Sequence, residues 1–234
     1  MKYLVTAVIA LVAGFAGAAA WDFSGLGPDR TRDYLMANPE VLPEAIGELQ
    51  RRELTQRIKP LRDELEEPFP GAVLGNPEGS ITLVEFSDYA CGYCRRSLED
   101  VNALVAANPD LKVVLREYPV LSEASADAAR MALAAAEQGR FAEFHNAMFA
   151  QDAPSPAGIE AAANEAGLDV AAARAAIEAG KFEAHLQNNV FLGQTMQFTG
   201  TPTFVVGNQV LEGAVGAERL ADAIAETRDS RAET

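Results

Sequence analysis

The sequence predicts an α/β domain in which a strand, helix, strand unit is separated from a later strand, hairpin, helix unit by an all-helical insertion, with a helical extension in front. Three observations predict it. Ile81 to Ser87 is an alternating run of β-formers that leads directly into a helix opening at Cys91-Gly92-Tyr93-Cys94. Helical character then holds from Ser125 to Phe198, and strand character returns at Thr203 to Val206. The stretch Asp22 to Glu67 is charged, has apolar residues at helical spacing and has no β-branched run. With 234 residues, 49% of them apolar, the chain can bury one sizeable core.

Taken in order, residues 1–20 have the three-part layout of a secretory signal: Met1-Lys2, an apolar run from Tyr3 to Phe15, and small residues with Ala18 and Ala20 where cleavage requires them. Cleavage is the favoured reading, since the distal half is Gly and Ala. The alternative is a retained anchor helix, because the run nearly reaches bilayer length. The chain carries a net charge of -15, and without residues 1–20 it has 18 basic against 34 acidic residues. Such a surface is repelled by phosphate backbones and anionic lipid, which argues against nucleic acid and membrane surfaces as partners.

Residues 21–67 form the expected N-terminal helical extension. Asn38-Pro39-Glu40 reads as a helix start, with Val41, Leu42, Ala45, Ile46 and Leu49 following. Leu54, Ile58, Leu61 and Leu65 continue at the four, three, four spacing of a short coiled-coil seam, interrupted by Pro60, where a kink near Lys59 is expected. This stripe packs either on its own domain or on another copy of the chain. Pro68, Pro70 and Gly71 mark the start of the main domain, residues 68–234, and Gly75 to Gly79 marks a turn. The helix after the cysteines closes at Asn108-Pro109, and Leu111 to Glu117 is a second strand, parallel to the first. The insertion, about residues 120–198, reads as helices over Asp127 to Glu137, Phe141 to Phe149, Pro156 to Ala166, Val170 to Ala179 and Phe182 to Phe198. Thr203 to Val206, a Gly207-Asn208 turn, Gln209 to Glu212 and a helix over Ala217 to Thr227 complete the domain.

The chain has two cysteines, three positions apart. A disulfide closing a ring of about four residues gains roughly 2 kcal/mol by chain entropy, before ring strain is subtracted. A domain of this size needs no such staple, so the pair reads as chemistry. Thiol-disulfide exchange needs an ionised attacker and a second thiol to resolve the mixed disulfide. At the first turn of a helix, free N–H groups and the dipole favour the Cys91 anion by about 1 to 2 kcal/mol. Cys91 is thus expected to be the exposed nucleophile, and Cys94, one turn in on the same face, the buried resolving thiol, with Gly92-Tyr93 shaping the ring. Zinc would need further ligands, and only His145 and His185 are histidines; two thiolates suffice for copper(I), the lesser alternative. No cofactor is expected.

Glu85, six residues before Cys91, interrupts an apolar strand; buried beneath the thiols, it can exchange a proton with Cys94. Gly200-Thr201-Pro202-Thr203 stands directly before the third strand. A cis bond before Pro202 would turn the Thr201 backbone outward toward an extended substrate. His145 and His185 are expected to be core or rim residues. Arg95-Arg96 is either a source of positive charge near the thiolate or a solvated face, and Asp88 and Tyr89 lie on the approach to Cys91.

Glu85, Cys91-Gly92-Tyr93-Cys94 and Thr201-Pro202, in this order of elements, resemble the thioredoxin superfamily from about Ala72 to Thr227, and the helical insertion is similar to that of its DsbA-like branch. Within it, "NPEVLPEAIGELQRR" followed by "LVEFSDYACGYCRR" resembles the bacterial ScsC (suppressor of copper sensitivity) proteins. The resemblance implies a periplasmic disulfide-exchange enzyme with Cys91 as nucleophile, Cys94 as resolving thiol, Glu85 as buried acid and Thr201-Pro202 as the cis-proline loop. Members with a helical extension can assemble through it as trimers and act as isomerases, and Gly92-Tyr93 is also the dipeptide of the dimeric isomerase DsbC. The implied partners are exported proteins with unpaired or mispaired cysteines and a membrane redox protein, a reductant for an isomerase or an oxidant for a DsbA-like oxidase.

Overall fold

Strand formation follows the alternation read from the sequence. In a computed structural model describing residues 2–24 and 28–232, β2 (Ile81–Ser87) is flanked on both sides and buried along its whole length. Met1, residues 25–27 and the last two residues, which the expected segments 1–20, 21–67 and 68–234 include, lie outside the described residues. The sheet order is β1 (Val73–Gly75), β3 (Leu111–Glu117), β2, β4 (Thr203–Val206), β5 (Gln209–Glu212). β2 runs parallel to β3 and antiparallel to β4, with Glu85 level with Leu115 on one side and Phe204 on the other. Strand periodicity sends Leu83 and Glu85 to one face and Val84 and Phe86 to the other.

Each face has its own core. On the first, Leu83, Val113, Leu115 and Phe204 meet α5 (Gly92–Ala107) and the inserted helices through Val101, Leu104, Leu133 and Phe144. On the second, Val84, Phe86, Val114 and Val205 meet Ile58, Leu65, Tyr118, Leu192 and Met196. Phe198 sets its ring edge against Phe86 at 4.9 Å between centroids.

The insertion consists of α6 (Glu123–Glu137), α7 (Phe141–Ala150), α8 (Pro156–Glu165), α9 (Val170–Glu178) and α10 (Glu183–Thr195). Its starts are written in capping residues: Ser122, Ser155 and Asp169 accept from Ser125, Gly158 and Ala172 N–H. α6 begins four residues before the expected Asp127 because Ser122 caps it. α10 stops at Thr195 short of Phe198, with Gln197 at a φ of 61°. β1 was not expected; three residues amid glycine and proline carry no periodicity. α11 (Ala217–Ala232) closes the chain.

The chain divides into two compact units, Met1–Arg52 and Glu53–Thr234. The first holds α1 (Lys2–Ser24), α2 (Pro28–Ala37) and most of α3 (Val41–Ile58), which begins two residues after the expected Pro39 while the Asn38 amide donates back to Tyr34 O. Leu42, Ile46 and Leu49 are exposed. At Pro60 the helix breaks into a 3-10 turn, Lys59–Leu61, followed by α4 (Arg62–Glu66), because proline has no N–H to continue the ladder. The punctuation at Pro68 and the unit boundary at Arg52 do not coincide. Ile58 and Leu65 already belong to the second core, and Arg57 and Arg62 donate to Met196 O and Gly207 O.

Candidate active site

Cys91 is the N-cap of α5, with extended backbone (φ -84°, ψ 115°), at the helix end whose first-turn N–H groups lack intrahelical partners; its side chain makes no capping hydrogen bond. A tight turn puts it there: Cys91 N–H donates to Asp88 O at 2.9 Å. The Asp88 carboxylate is buried and accepts from Ala90 N–H at 2.8 Å, Val120 N–H at 2.9 Å and Leu121 N–H at 3.0 Å. Asp88, expected on the approach to the thiol, thus clamps the loop before α5 to the loop after β3.

The Cys91 thiol points at the main-chain oxygen of Thr201, 3.2 Å away, and the Thr201–Pro202 bond is cis. The two halves of the expected site, separated by the whole insertion, therefore meet. Cys91 was expected to be exposed; its exposure is 8% against 1% for Cys94, because Thr201 covers it. Both thiols are free. A cleft of about 420 Å³ beside them is lined by Tyr93, Thr199, Gly200, Thr201, Glu212 and Gly213. Glu212 accepts from Thr199 Oγ1 at 2.6 Å, and Gly213 N–H donates to Pro202 O at 2.7 Å, fixing the loop that carries Thr201. Gly92 opens onto free space, where an added Cβ meets nothing within 4 Å.

Beneath the thiols lies a buried acidic floor. Burial pushes the Glu85 carboxyl up to about 8, partly offset by the Ser87 hydroxyl. Burial, then the Glu85 charge, raises the Cys94 thiol well above its ordinary range. The second acid, Glu117 at the end of β3, went unread in the sequence; burial holds its carboxyl far above the carboxylate range. It lies 3.1 Å from Tyr89 Oη, which also meets His145 Nδ1 at 3.0 Å. His145 is the core residue expected, its ring stacked on Phe141 and its basicity lowered by burial to about 3. His185 lies apart, against Phe69. Arg95 donates to Gln151 O and Asp152 O of the insertion, and Arg96 sits 5.2 Å over the exposed Tyr93 ring, so neither is simply a solvated face.

The site thus holds a second, fully buried thiol, a buried acid raised to about 8 and a main-chain carbonyl beside the capping sulfur, an arrangement whose chemistry suits thiol exchange. Comparison with known proteins agrees. Residues 31–54 match the Copper resistance protein ScsC N-terminal domain. A thioredoxin-like oxidoreductase from Silicibacter pomeroyi is 42% identical at a TM-score of 0.68, covering 72% of this chain and 98% of its own. Proteus mirabilis ScsC in a transitional conformation is 27% identical (TM-score 0.65; 84% and 91% covered), and the thiol-disulfide exchange protein alpha-DsbA2 from Wolbachia pipientis 25% (0.70; 76% and 97%). Among curated proteins, 161 residues are 30% identical to the Na(+)/H(+) antiporter NhaA 3 of Salinispora tropica, and the chain spans about a quarter of the length of the curated relatives it matches. The DSBA-like thioredoxin domain matches residues 82–225, more than half of the chain, and with the fold above this chain is a member of the DsbA-like thioredoxin family.

Proposed function

We propose that this chain is a periplasmic enzyme that exchanges disulfides in exported proteins through Cys91 and Cys94, and that it isomerises mispaired disulfides when assembled through residues 22–67. The approach of Cys91 Sγ to Thr201 O carries the reading. It presents the reactive sulfur beside a main-chain edge on which an extended substrate can lie, with Tyr93 and Pro202 flanking it and Gly92 leaving access. The Cys91 thiolate attacks a substrate disulfide, one substrate sulfur leaves as thiolate, and a mixed disulfide forms. In molecules whose Glu85 carboxyl has ionised, Cys94 then gives up its proton toward Glu85, attacks Cys91 and releases the second substrate sulfur. In isomerisation a substrate thiolate performs that release instead, and Cys91 returns reduced.

The isomerase reading is supported by the ScsC-type match over residues 31–54 and by Leu42, Ile46 and Leu49, exposed along the extension. It requires a membrane reductant that keeps Cys91 reduced; an oxidase requires an oxidant. The test is refolding of scrambled ribonuclease by the protein lacking residues 1–20, by a form beginning at Glu53 and by Cys91→Ser. Isomerisation lost on truncation with thiol exchange retained supports the oligomeric isomerase. Unchanged, oxidant-dependent activity supports a monomeric oxidase, and activity surviving Cys91→Ser overturns both.

A further inference from the structure

The cleft beside the thiols has an acidic wall. Among the described residues that line it, Glu212 is the only one with an acidic or basic side chain. Strand register places it: Glu212 ends β5 opposite Thr203 of β4, two residues on from Thr201, whose carbonyl faces Cys91 Sγ. Hydrogen bonds then orient the carboxylate. Oε1 accepts from Thr199 N–H at 3.3 Å and Oε2 from Thr199 Oγ1 at 2.6 Å. A carboxylate offers about four lone-pair sites, so each oxygen keeps one open. Glu212 is exposed, and among the described residues no cation neutralises it.

Holding Thr199 needs an acceptor, not a charge, since the carbonyl oxygen of an amide accepts equally well from the hydroxyl. The charge stands where it meets the client. When a client cysteine reacts at Cys91 and its chain lies extended along the Thr201 edge, a neighbouring side chain enters the cleft. There it finds the Tyr93 ring, 58% exposed, and the Glu212 carboxylate. A Lys or Arg side chain fits both, its aliphatic stem against the ring and its cationic head on the carboxylate. Arg96 lies over the Tyr93 ring and does not line the cleft, so it leaves Glu212 uncapped. An acidic neighbour meets like charge instead. The net charge of -15 attracts basic clients from a distance, and Glu212 puts one unit of that charge beside the reacting sulfur.

We propose that Glu212 is a specificity-determining residue, which makes the site favour client cysteines flanked by Lys or Arg over those with acidic neighbours. The inference rests on the disulfide-exchange reading above and names its substrate class. The Cys91 thiolate attacks the client sulfur, the Cys91–client bond forms, and the sulfur formerly bonded to the client leaves as thiolate with the electron pair. During the attack the cationic neighbour is held between Tyr93 and Glu212. Glu212 takes no part in making or breaking bonds; it acts on encounter and on the orientation of the client.

The test uses three end-capped peptides, each with one cysteine flanked on both sides by Lys, by Gln or by Glu and joined through a disulfide to thionitrobenzoate. Attack by reduced full-length protein on the peptide sulfur releases thionitrobenzoate, followed in stopped flow. At low salt the Lys peptide is expected to react about fivefold or more faster than the Glu peptide, with Gln between them, and the ratio should fall toward one at about 0.5 M salt. Glu212→Gln should cut the low-salt ratio to less than half, and Glu212→Lys should cut it further. Glu178→Gln, which removes the same charge from the exposed end of α9, should leave the ratio as in the parent. Because the readout is a ratio, a general change in rate from loosening Thr199 cancels. Equal rates for the Lys and Glu peptides in the parent, a ratio that survives Glu212→Gln, or one lost equally in Glu178→Gln overturns the specificity role alone. Release that is absent from the parent with every peptide, or undiminished in Cys91→Ser, overturns the exchange reading and the specificity role with it.

Discussion

Glu85 makes stability depend on pH with a definite sign. Its carboxyl titrates near 8 in the folded chain against an ordinary 4.5. Below about pH 4.5 it is protonated in both folded and unfolded chains and costs nothing. As pH rises the unfolded chain releases the proton first, so the folded state loses stability up to about pH 8 and no further beyond it. At 1.36 kcal/mol per pKa unit the full effect is on the order of 5 kcal/mol. Glu85→Gln is therefore expected to match the parent at pH 4.5 and to exceed it by about 2 to 5 kcal/mol at pH 9 in urea unfolding of the reduced protein. His145, held down to about 3, works the other way: it costs stability as pH falls below 6.5, equally in both proteins, so it cancels in the comparison. An identical pH slope for the variant and the parent would refute the buried acid. Glu85 was legible because it interrupts an apolar strand, whereas Glu117 and Ser87 stand at strand ends, where a polar residue reads as the edge of the sheet. Only the pairing of β2 with β3 reveals that those ends are covered.

At the scale of elements, two loops and one helix face are held by single residues. Asp88 satisfies N–H groups from both sides of the site, and Asp88→Ala removes three hydrogen bonds to N–H groups of exposed residues, at an expected cost of about 1 to 3 kcal/mol. Asp88→Asn keeps one acceptor oxygen and should cost less, a ranking that chemical denaturation checks; equal stability of the alanine variant and the parent would show the clamp to be dispensable. On α10, Gly193 lies against the Tyr118 ring: an added Cβ would sit 2.6 Å from its nearest carbon. Gly193→Ala must push Tyr118 within the core it shares with Phe86, costing about 1 to 3 kcal/mol, while a Tyr118→Leu background should reduce that cost. These contacts were not readable in advance, since a glycine in a helical pattern announces neither its neighbour nor the distance. What was readable is what local chemistry fixes: the alternation of β2, the helix opening at Cys91 and the helix breaks at Pro60, Gly139, Gly167 and Gly180, the glycines all at positive φ.

For the whole molecule, the question is where the catalytic unit begins. Composition places the start at Pro68, but packing places it at Glu53. Ile58 and Leu65 are each 1% exposed in the core that also holds Val84, Phe86 and Val205. Arg116, buried at the end of β3, donates to Glu64 O, Leu65 O and Glu67 O and to Asn189 Oδ1. A chain beginning at Ala72 strips two apolar anchors, worth about 1.5 to 3 kcal/mol each, and leaves the Arg116 guanidinium without those carbonyls. The expected loss, about 4 to 8 kcal/mol, approaches the whole stability of an ordinary domain. A chain beginning at Glu53 keeps all of these contacts and should unfold within about 1 kcal/mol of the full chain. The sequence could not separate the two starts, because a four, three, four stripe looks the same whether it faces its own sheet or a neighbouring copy. Urea unfolding of the two truncated chains decides the matter: equal stabilities would mean that residues 53–71 are an appendage to the catalytic unit, whereas a cooperative Glu53 form beside an unfolded or severely weakened Ala72 form makes them part of its core.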